Sequence, residues 1–359
     1  MPLEPLDYLK SLESHGFSCY IVGGYVRDRE LGIDSTDIDI ATSARPEDIT
    51  RIFNVSTTDN LGCVNIVNEK YNIDITTYRR ESSYENRHPQ TIEYIEDIDE
   101  DLRRRDFTMN AICLKSDGTI YDPLGGMKDL SERLIRVIGK IDSKFKEDPL
   151  RMLRALRMSI IYGFAIEKAA LDYIIENKTM IKNLSFDRKK SEIDKILLSG
   201  QAESGLRYLE KLGLLEVLEI APLHPYKEIP DSIGAWAQLR CDRYPFSKSE
   251  IIHMTNIRSI IETGVIDEDS IYLYGIGDNL IAAKILGIDA ATVESLYENM
   301  PIHGEDDLVL DGQDIMGILG IESSPLIRKI KKDLISEVLS GNLPNSEAEL
   351  SNYIKENWK

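Results

Sequence analysis

The chain changes its hydrophobic period several times in its first third, then settles into one. Residues 6–16 space their apolar positions for one face of a short helix, which Gly16 stops. Residues 17–22 form a compact apolar run that reads as a strand. Residues 25–31 return to helical spacing and end at Gly32. Asp37-Ile38-Asp39-Ile40 alternates polar with apolar, the pattern of a half-buried strand. Residues 47–53 predict another helix, with Pro46 near its first turn. Residues 63–67 and 71–78 read as two strands of a hairpin around Asn68-Glu69-Lys70. Residues 80–90 are polar without a period and read as a mobile loop. From about residue 128 the pattern is almost entirely helical, with apolar faces such as Leu206, Leu209, Leu212 and Leu215. Strands first and helices afterwards predict an α+β fold.

The alternating strand carries the first candidate chemistry. Side chains alternate sides along a strand, so Asp37 and Asp39 share a face while Ile38 and Ile40 turn to the core. Two neighbouring carboxylates repel, and a hard divalent cation relieves that by taking both as oxygen ligands. Upstream, Gly23 and Gly24 let the backbone approach an anion, the following helix aims its first N–H groups there, and Arg27 adds a positive charge. Such a unit points to nucleotidyl transfer with magnesium. Asp74 lies between two isoleucines and faces away from them. It is either a third carboxylate beside the pair or an ordinary outward polar residue.

Composition narrows the picture. The 359 residues suffice for two or three domains. No apolar run is long enough to span a membrane, and the N-terminus lacks the basic-then-apolar order of a signal peptide. Cys19, Cys63, Cys113 and Cys241 are scattered, with neither metal spacing nor a disulfide framework, and read as reduced packing residues of a cytoplasmic protein. Nothing in the sequence sets an oligomeric state. The net charge of −19 disfavours long nonspecific RNA as a partner. Residues 128–157 nevertheless concentrate Lys128, Arg133, Arg136, Lys140, Lys144, Lys146, Arg151, Arg154 and Arg157 against five acids.

Two further stretches stand out. Residues 101–111 read DLRRRDFTMNA, in which three consecutive arginines precede Asp106. Their plain reading is a solvated helix start capped by Asp106. Residues 147–157 read EDPLRMLRALR. On a helical wheel Met152, Leu153, Leu156, Ile160 and Phe164 form the apolar stripe, Arg151 and Arg154 lie opposite, and Arg157 sits at its edge. Asp148 lies one turn before Arg151, near enough to sit beside it, and its plain reading is an N-cap before Pro149.

Together the glycine–carboxylate stretch, Ile73-Asp74-Ile75-Thr76-Thr77-Tyr78-Arg79, Arg104-Arg105-Asp106-Phe107-Thr108-Met109-Asn110-Ala111, Asp122-Pro123-Leu124-Gly125-Gly126 and Glu147-Asp148-Pro149-Leu150-Arg151 closely resemble the ordered signatures of the class II tRNA nucleotidyltransferase and bacterial poly(A) polymerase family. The resemblance covers nearly the whole chain. It implies a polymerase-beta-like nucleotidyltransferase head at 1–137, then an all-α neck (138–205), body (206–290) and tail (291–359). It implies template-independent addition of CCA to the 3′ end of tRNA from CTP and ATP by two-metal nucleotidyl transfer, with the Mg²⁺ ions held by Asp37 and Asp39 and catalysis shared with Asp74. On the same footing Gly23, Gly24, Arg27 and Arg105 hold the triphosphate or sugar, and Asp106, Thr108 and Asn110 shape the site. Asp148 and Arg151 select the base, and Arg154 and Arg157 meet phosphate or hold the pair. Residues 185–192 resemble the Arg-x-x-x-Glu neck element of the family, which implies a structural or RNA-positioning role and makes Lys189 and Lys190 the RNA-binding candidates there. The tail's Arg328, Lys329 and Lys332 touch the tRNA backbone. The near-complete stretch at 80–90 separates the chain from relatives that add only C, in which this loop is shortened. Leu61-Gly62-Cys63-Val64 stands where the poly(A) polymerase branch has a basic-aromatic segment. A-only or CC-only addition, poly(A) polymerase, and a non-catalytic RNA-binding homologue are the alternatives. The last would be marked by a lost metal carboxylate, and both are present.

Overall fold

The computed structural model describes residues 3–55, 63–85 and 88–358, and only the backbone of those between 81 and 92. Helix α1 (Pro5–Ser14) leads into strand β1 (Cys19–Val22), helix α2 (Gly24–Glu30) and strand β2 (Asp37–Thr42). Helix α3 (Pro46–Phe53) then precedes strands β3 (Cys63–Val67) and β4 (Asn72–Thr77). Further on come β5 (Arg79–Glu85), β6 (His88–Tyr94), helix α4 (Ile98–Arg104), and the two short strands β7 (Cys113–Leu114) and β8 (Ile120–Tyr121). Six of these strands form one sheet in the order β3-β4-β2-β1-β7-β8.

The period-2 pattern works as expected. Ile38 and Ile40 of β2, Ile73 and Ile75 of β4, and Ile21 of β1 are buried on one shared face that fixes the register, while Val22, opposite Asp39, is buried on the other. β2 and β4 run parallel, with Asp39 opposite Asp74 and Asp37 opposite Asn72. β3 and β4 form the expected antiparallel hairpin, with Asn65 opposite Asp74.

Two expectations are corrected here. Residues 80–90 were read as a loop, but β5 and β6 pair antiparallel as a separate two-stranded ribbon, Arg79 opposite Tyr94 and Glu85 opposite His88. Strand pairing satisfies backbone N–H and C=O groups whatever the side chains are, so a ribbon outside the main sheet needs no apolar alternation. Residues 86 and 87 of that stretch lie outside the described residues, as do Leu61 and Gly62. The arginine run is the end of a helix, not its start. Asp97 caps α4 by accepting from the Asp99 N–H at 2.9 Å, and Arg105 is already extended. Arginines thus gather at the negative end of the helix dipole.

Helices follow: α5 (Gly126–Ser131), α6 (Ile141–Glu147), α7 (Leu150–Tyr162), α8 (Lys168–Glu176), α9 (Thr179–Lys182), α10 (Phe186–Leu197), α11 (Ala202–Lys211) and α12 (Leu215–Leu218). Met152, Leu153, Leu156 and Phe164 are buried, as the stripe predicted. Residues 1–196 with 204–218 form one compact unit. A second unit comprises 197–203 and 219–359. Its helices are α13 (Ser232–Ala237), α14 (Lys248–Thr263), α15 (Glu268–Leu286), α16 (Ala290–Asn299), α17 (Gly312–Leu319), α18 (Pro325–Leu339) and α19 (Glu347–Asn357). Val293, Ile315, Ile330, Leu334 and Leu350 lie at the centre of its core. Cys19, Cys63, Cys113 and Cys241 are all free thiols. Among the described residues no helix is long and apolar enough to cross a membrane.

Candidate functional site

The turn between β1 and α2 is built for a close approach. Gly23 has φ +76°, and a Cβ on it would meet the Asp39 Oδ2 at 2.7 Å. No side chain larger than hydrogen fits there without moving that carboxylate. Asp37 and Asp39 are exposed on one face of β2, and parallel pairing sets Asp74 beside Asp39. Asparagine amides steady the flanking carboxylates. Asn72 Nδ2 donates to Asp37 at 3.1 Å, and Asn65 Nδ2 donates to Asp74 at 2.8 Å.

Asp39 carries the electrostatic burden. Although its side chain reaches solvent, it lines the cleft with protein packed around it; that desolvation raises its pKa, and Asp74 and Asp37 raise it further, against the opposing pull of Arg105 and Arg154. Among the described residues no three Asp, Glu, His or Cys side chains gather into a ready-made metal cage. The available donor set is Asp37 and Asp39 with Asp74 as register neighbour. Hard carboxylate oxygens under mutual repulsion fit a hard divalent cation.

A cleft of about 500 Å³ opens beside this face, lined among others by Gly23, Gly24, Asp39, Arg105, Asp148, Arg151 and Arg154. Its wall is α7, and each of its arginines has a partner that fixes it. Arg154 Nε donates to Asp106 Oδ2 at 2.7 Å. Asp106 is buried, which pushes its pKa up, but Arg154, the Asn110 amide and the Phe107 N–H outweigh that and hold it below the usual carboxylate range. Arg157 Nε donates to the buried Glu192 at 2.5 Å. Arg105 lines the cleft, and its Nη2 donates to Asp101 at 3.2 Å, while its buried Nε has no hydrogen-bond partner.

Three site residues sit differently from the sequence expectation. Asp148 and Arg151 line the same cleft, but each is held by another partner: Asp148 Oδ2 accepts from Arg188 Nη2 at 2.6 Å, and Arg151 Nη1 donates to Glu147 at 2.9 Å. Asp148 Oδ1 also accepts from the Leu150 N–H at 3.1 Å, at the first residue of α7, whose N-cap position is Pro149. Arg27 is buried and held in place, donating to Asp28, to Asn110 at 2.7 Å and to the Tyr162 hydroxyl at 2.5 Å.

Lys189 is a correction. It is fully buried, with its ammonium donating to the Lys182 carbonyl at 3.0 Å and lying over the Phe186 ring, so no RNA reaches it. Its spacing could have shown this, because Phe186, Lys189, Ile193 and Ile196 recur along one face of α10. Lys190 donates to Asp194 at 3.1 Å. In the second unit Arg328, Lys329 and Lys332 are exposed on α18. Sequence reading missed Asp28 as a site residue; it singled out Arg188 and Glu192 within the neck element, and Asp101 within the arginine stretch, but not their partners Asp148, Arg157 and Arg105. Arg188 and Glu192 bond across 40 and 35 residues, a separation no local period reports.

Carboxylates on a strand face, a glycine turn against them and a guanidinium-lined cleft fit an enzyme that handles nucleoside phosphates. Comparison with known proteins makes the class specific. Residues 19–136 match the Poly A polymerase head domain, 163–223 the probable RNA and SrmB-binding site of polymerase A, and 238–354 the putative domain 2 of tRNA nucleotidyltransferase. The CCA-adding enzyme of Limosilactobacillus fermentum is 32% identical over 381 residues, spanning 96% of this chain and 94% of that protein. That of Bacillus licheniformis is 32% identical, spanning 98% and 97%. The fold matches the Bacillus stearothermophilus CCA-adding enzyme in complex with CTP (TM-score 0.80, 24% identity, 99% and 98% covered). It also matches the Thermotoga maritima enzyme complexed with tRNA (TM-score 0.66, 19% identity, 99% and 97% covered). The chain therefore belongs to the bacterial, class II CCA-adding tRNA nucleotidyltransferases.

Proposed function

We propose that this chain adds C, C and A in turn to the 3′ end of tRNA, choosing CTP and ATP without a nucleic-acid template. The observation that carries the reading is that Asp39, Arg105, Asp148 and Arg151 line one cleft. Reacting carboxylates and base-reading groups are then within reach of a single nucleotide. Asp37 and Asp39, with Asp74 beside them, are the residues to hold Mg²⁺. A magnesium ion held by them would supply the positive charge that lowers the pKa of the tRNA 3′ hydroxyl and offsets the charge of the departing pyrophosphate. Gly23 and Gly24 give the triphosphate room against the backbone, and the Arg105 guanidinium lines the cleft beside it. Arg27, held by Asp28, Asn110 and Tyr162, sets the shape of that end of the cleft.

Base choice follows from hydrogen-bond polarity. Cytosine and adenine both offer an exocyclic amino donor beside a ring acceptor. The Asp148 carboxylate accepts from the amino group, and the Arg151 guanidinium donates to the ring. Uracil and guanine present a carbonyl and a ring N–H at those places, so both groups meet the wrong partner. Leaving buried polar groups unpaired can reject a substrate by about 10⁴–10⁵. Arg154 and Arg157, fixed by Asp106 and Glu192, hold the wall on which the readers stand. In this reading the head is 1–137, the neck 138–205, the body 206–290 and the tail 291–359. Lys190 in the neck and Arg328, Lys329 and Lys332 in the tail contact tRNA. The test is Asp148→Ala: it should incorporate UTP or GTP that the parent enzyme refuses. A variant that still excludes both refutes the base-reading role.

A further inference from the structure

Asp148 and Arg151 stand three residues apart at the start of one helix, a spacing at which opposite charges pair. Paired with each other, they would present neither an acceptor nor a donor to a base. The structure holds them apart by two brackets of opposite sign. Glu147 Oε2 accepts from Arg151 Nη1 at 2.9 Å, and the carbonyls of Lys144 and Arg104 each accept from the same guanidinium at 3.2 Å. On the other side Arg188, from α10, donates to Asp148 Oδ2 at 2.6 Å. The same helix uses Glu192, one turn later, to hold Arg157. Thus α10 meets α7 with one cation and one anion, each aimed at its opposite.

We propose that Arg188 is a specificity-setting positioning residue: it keeps the Asp148 carboxylate off Arg151 and oriented to accept the amino group of cytosine or adenine. This rests on the base-reading role given above to Asp148 and Arg151. A carboxylate offers about four acceptor positions. Arg188 and the Leu150 N–H take two, which leaves acceptor capacity for the amino group. The bond between a guanidinium and a carboxylate is charge-assisted and directional, so it fixes a rotamer as well as neutralising a charge. Without Arg188, Asp148 is left to the other guanidiniums of the cleft, Arg151 and Arg154, and turns from the base toward one of them. Correct nucleotides then lose their contacts, while incorrect ones lose little because they had none.

The experiment is a ratio. Single-turnover kcat/KM is measured for CTP against UTP, and for ATP against GTP, on tRNA ending at the appropriate position, for the parent enzyme, Asp148→Ala, Arg188→Met and Arg188→Lys. In R188M, kcat/KM for CTP and ATP should fall by up to about 10²-fold, the scale of a misplaced contact. Incorporation of UTP and GTP should change little, so the discrimination ratio collapses. R188K restores a cation and should recover part of that ratio. A merely structural Arg188 lowers all four nucleotides equally and leaves the ratio intact, which overturns the proposal. The ratio does not depend on the fraction of enzyme folded. If R188M yields no soluble protein, Arg188→Gln replaces it, and an intact ratio there overturns the proposal equally. A parent enzyme with no discrimination, or a D148A variant that keeps it, overturns the base-reading role itself. Discrimination lost in D148A but kept in R188M overturns Arg188 alone.

Discussion

A single methyl group at residue 23 should separate the backbone's part in catalysis from its part in folding. Gly23 has φ +76°, and a Cβ there would stand 2.7 Å from Asp39 Oδ2. An ordinary contact is about 3.4 Å or longer, so Gly23→Ala must push the carboxylate roughly 0.7 Å from its place or distort the turn. Positive φ costs a non-glycine residue about 1–3 kcal/mol. For a protein of this size that is a fall in melting temperature of several degrees. Gly118 gives the matched comparison. It has φ +83°, but a Cβ there meets nothing within 4 Å. Gly118→Ala therefore carries the strain without the clash. Both variants should melt below the parent, G23A by more, because its ψ of −141° lies outside the left-handed helical region and its Cβ also meets Asp39. Only G23A should lose nucleotide incorporation at saturating Mg²⁺, by about 10²-fold, as expected when a reacting group is misplaced by most of an ångström. Thermal unfolding and single-turnover incorporation read the two effects. The reasoning fails if G23A keeps activity within a few-fold, or if G118A loses as much as G23A.

Other expectations follow from the same electrostatics. Asp39→Asn should abolish incorporation yet raise the melting temperature near neutral pH. The raised pKa of Asp39 means that its ionised form burdens the fold above the ordinary carboxylate value, and the gain should vanish as pH falls below it. Arg154→Met should destabilise the protein by about 2–3 kcal/mol. That is below the usual cost of breaking a buried pair, because the Arg154 side chain keeps 34% of its surface in water. Asp106 has a lowered pKa, so its ionised form contributes stability above the ordinary carboxylate value and loses it as pH falls through the depressed one. R154M should therefore unfold at a higher pH than the parent in an acid titration. Lys189→Met should leave tRNA affinity within two-fold, since the parent ammonium is buried; a larger loss would restore its RNA-contact role.

What could be read from the sequence divides by range. The alternation at Asp37–Ile40 placed the carboxylates and the core isoleucines on opposite faces because strand period is local. The stripe through Met152 and Leu156 placed α7 for the same reason. The parallel pairing that sets Asp74 beside Asp39 is a long-range fact, so the sequence left its role open between two readings. Arg188 on Asp148 joins residues 40 apart, and only folding brings them together. The arginine run was misplaced because capping signals compete: Asp97 and Asp106 are both acceptable N-caps, and the apolar Ile98 and Leu102 decide for the first. Lys189 misled because a lysine is ordinarily solvated, although its helical neighbours marked a buried face.

The central claim is that one cleft adds C, C and A in order. Its most direct test is incorporation of each labelled nucleoside triphosphate, with Mg²⁺, on tRNA transcripts ending at the discriminator base, at C and at CC. The prediction is C on the first, C on the second and A on the third, with neither U nor G on any. Continued A addition on any RNA, C alone, A alone, or no incorporation at all would contradict it.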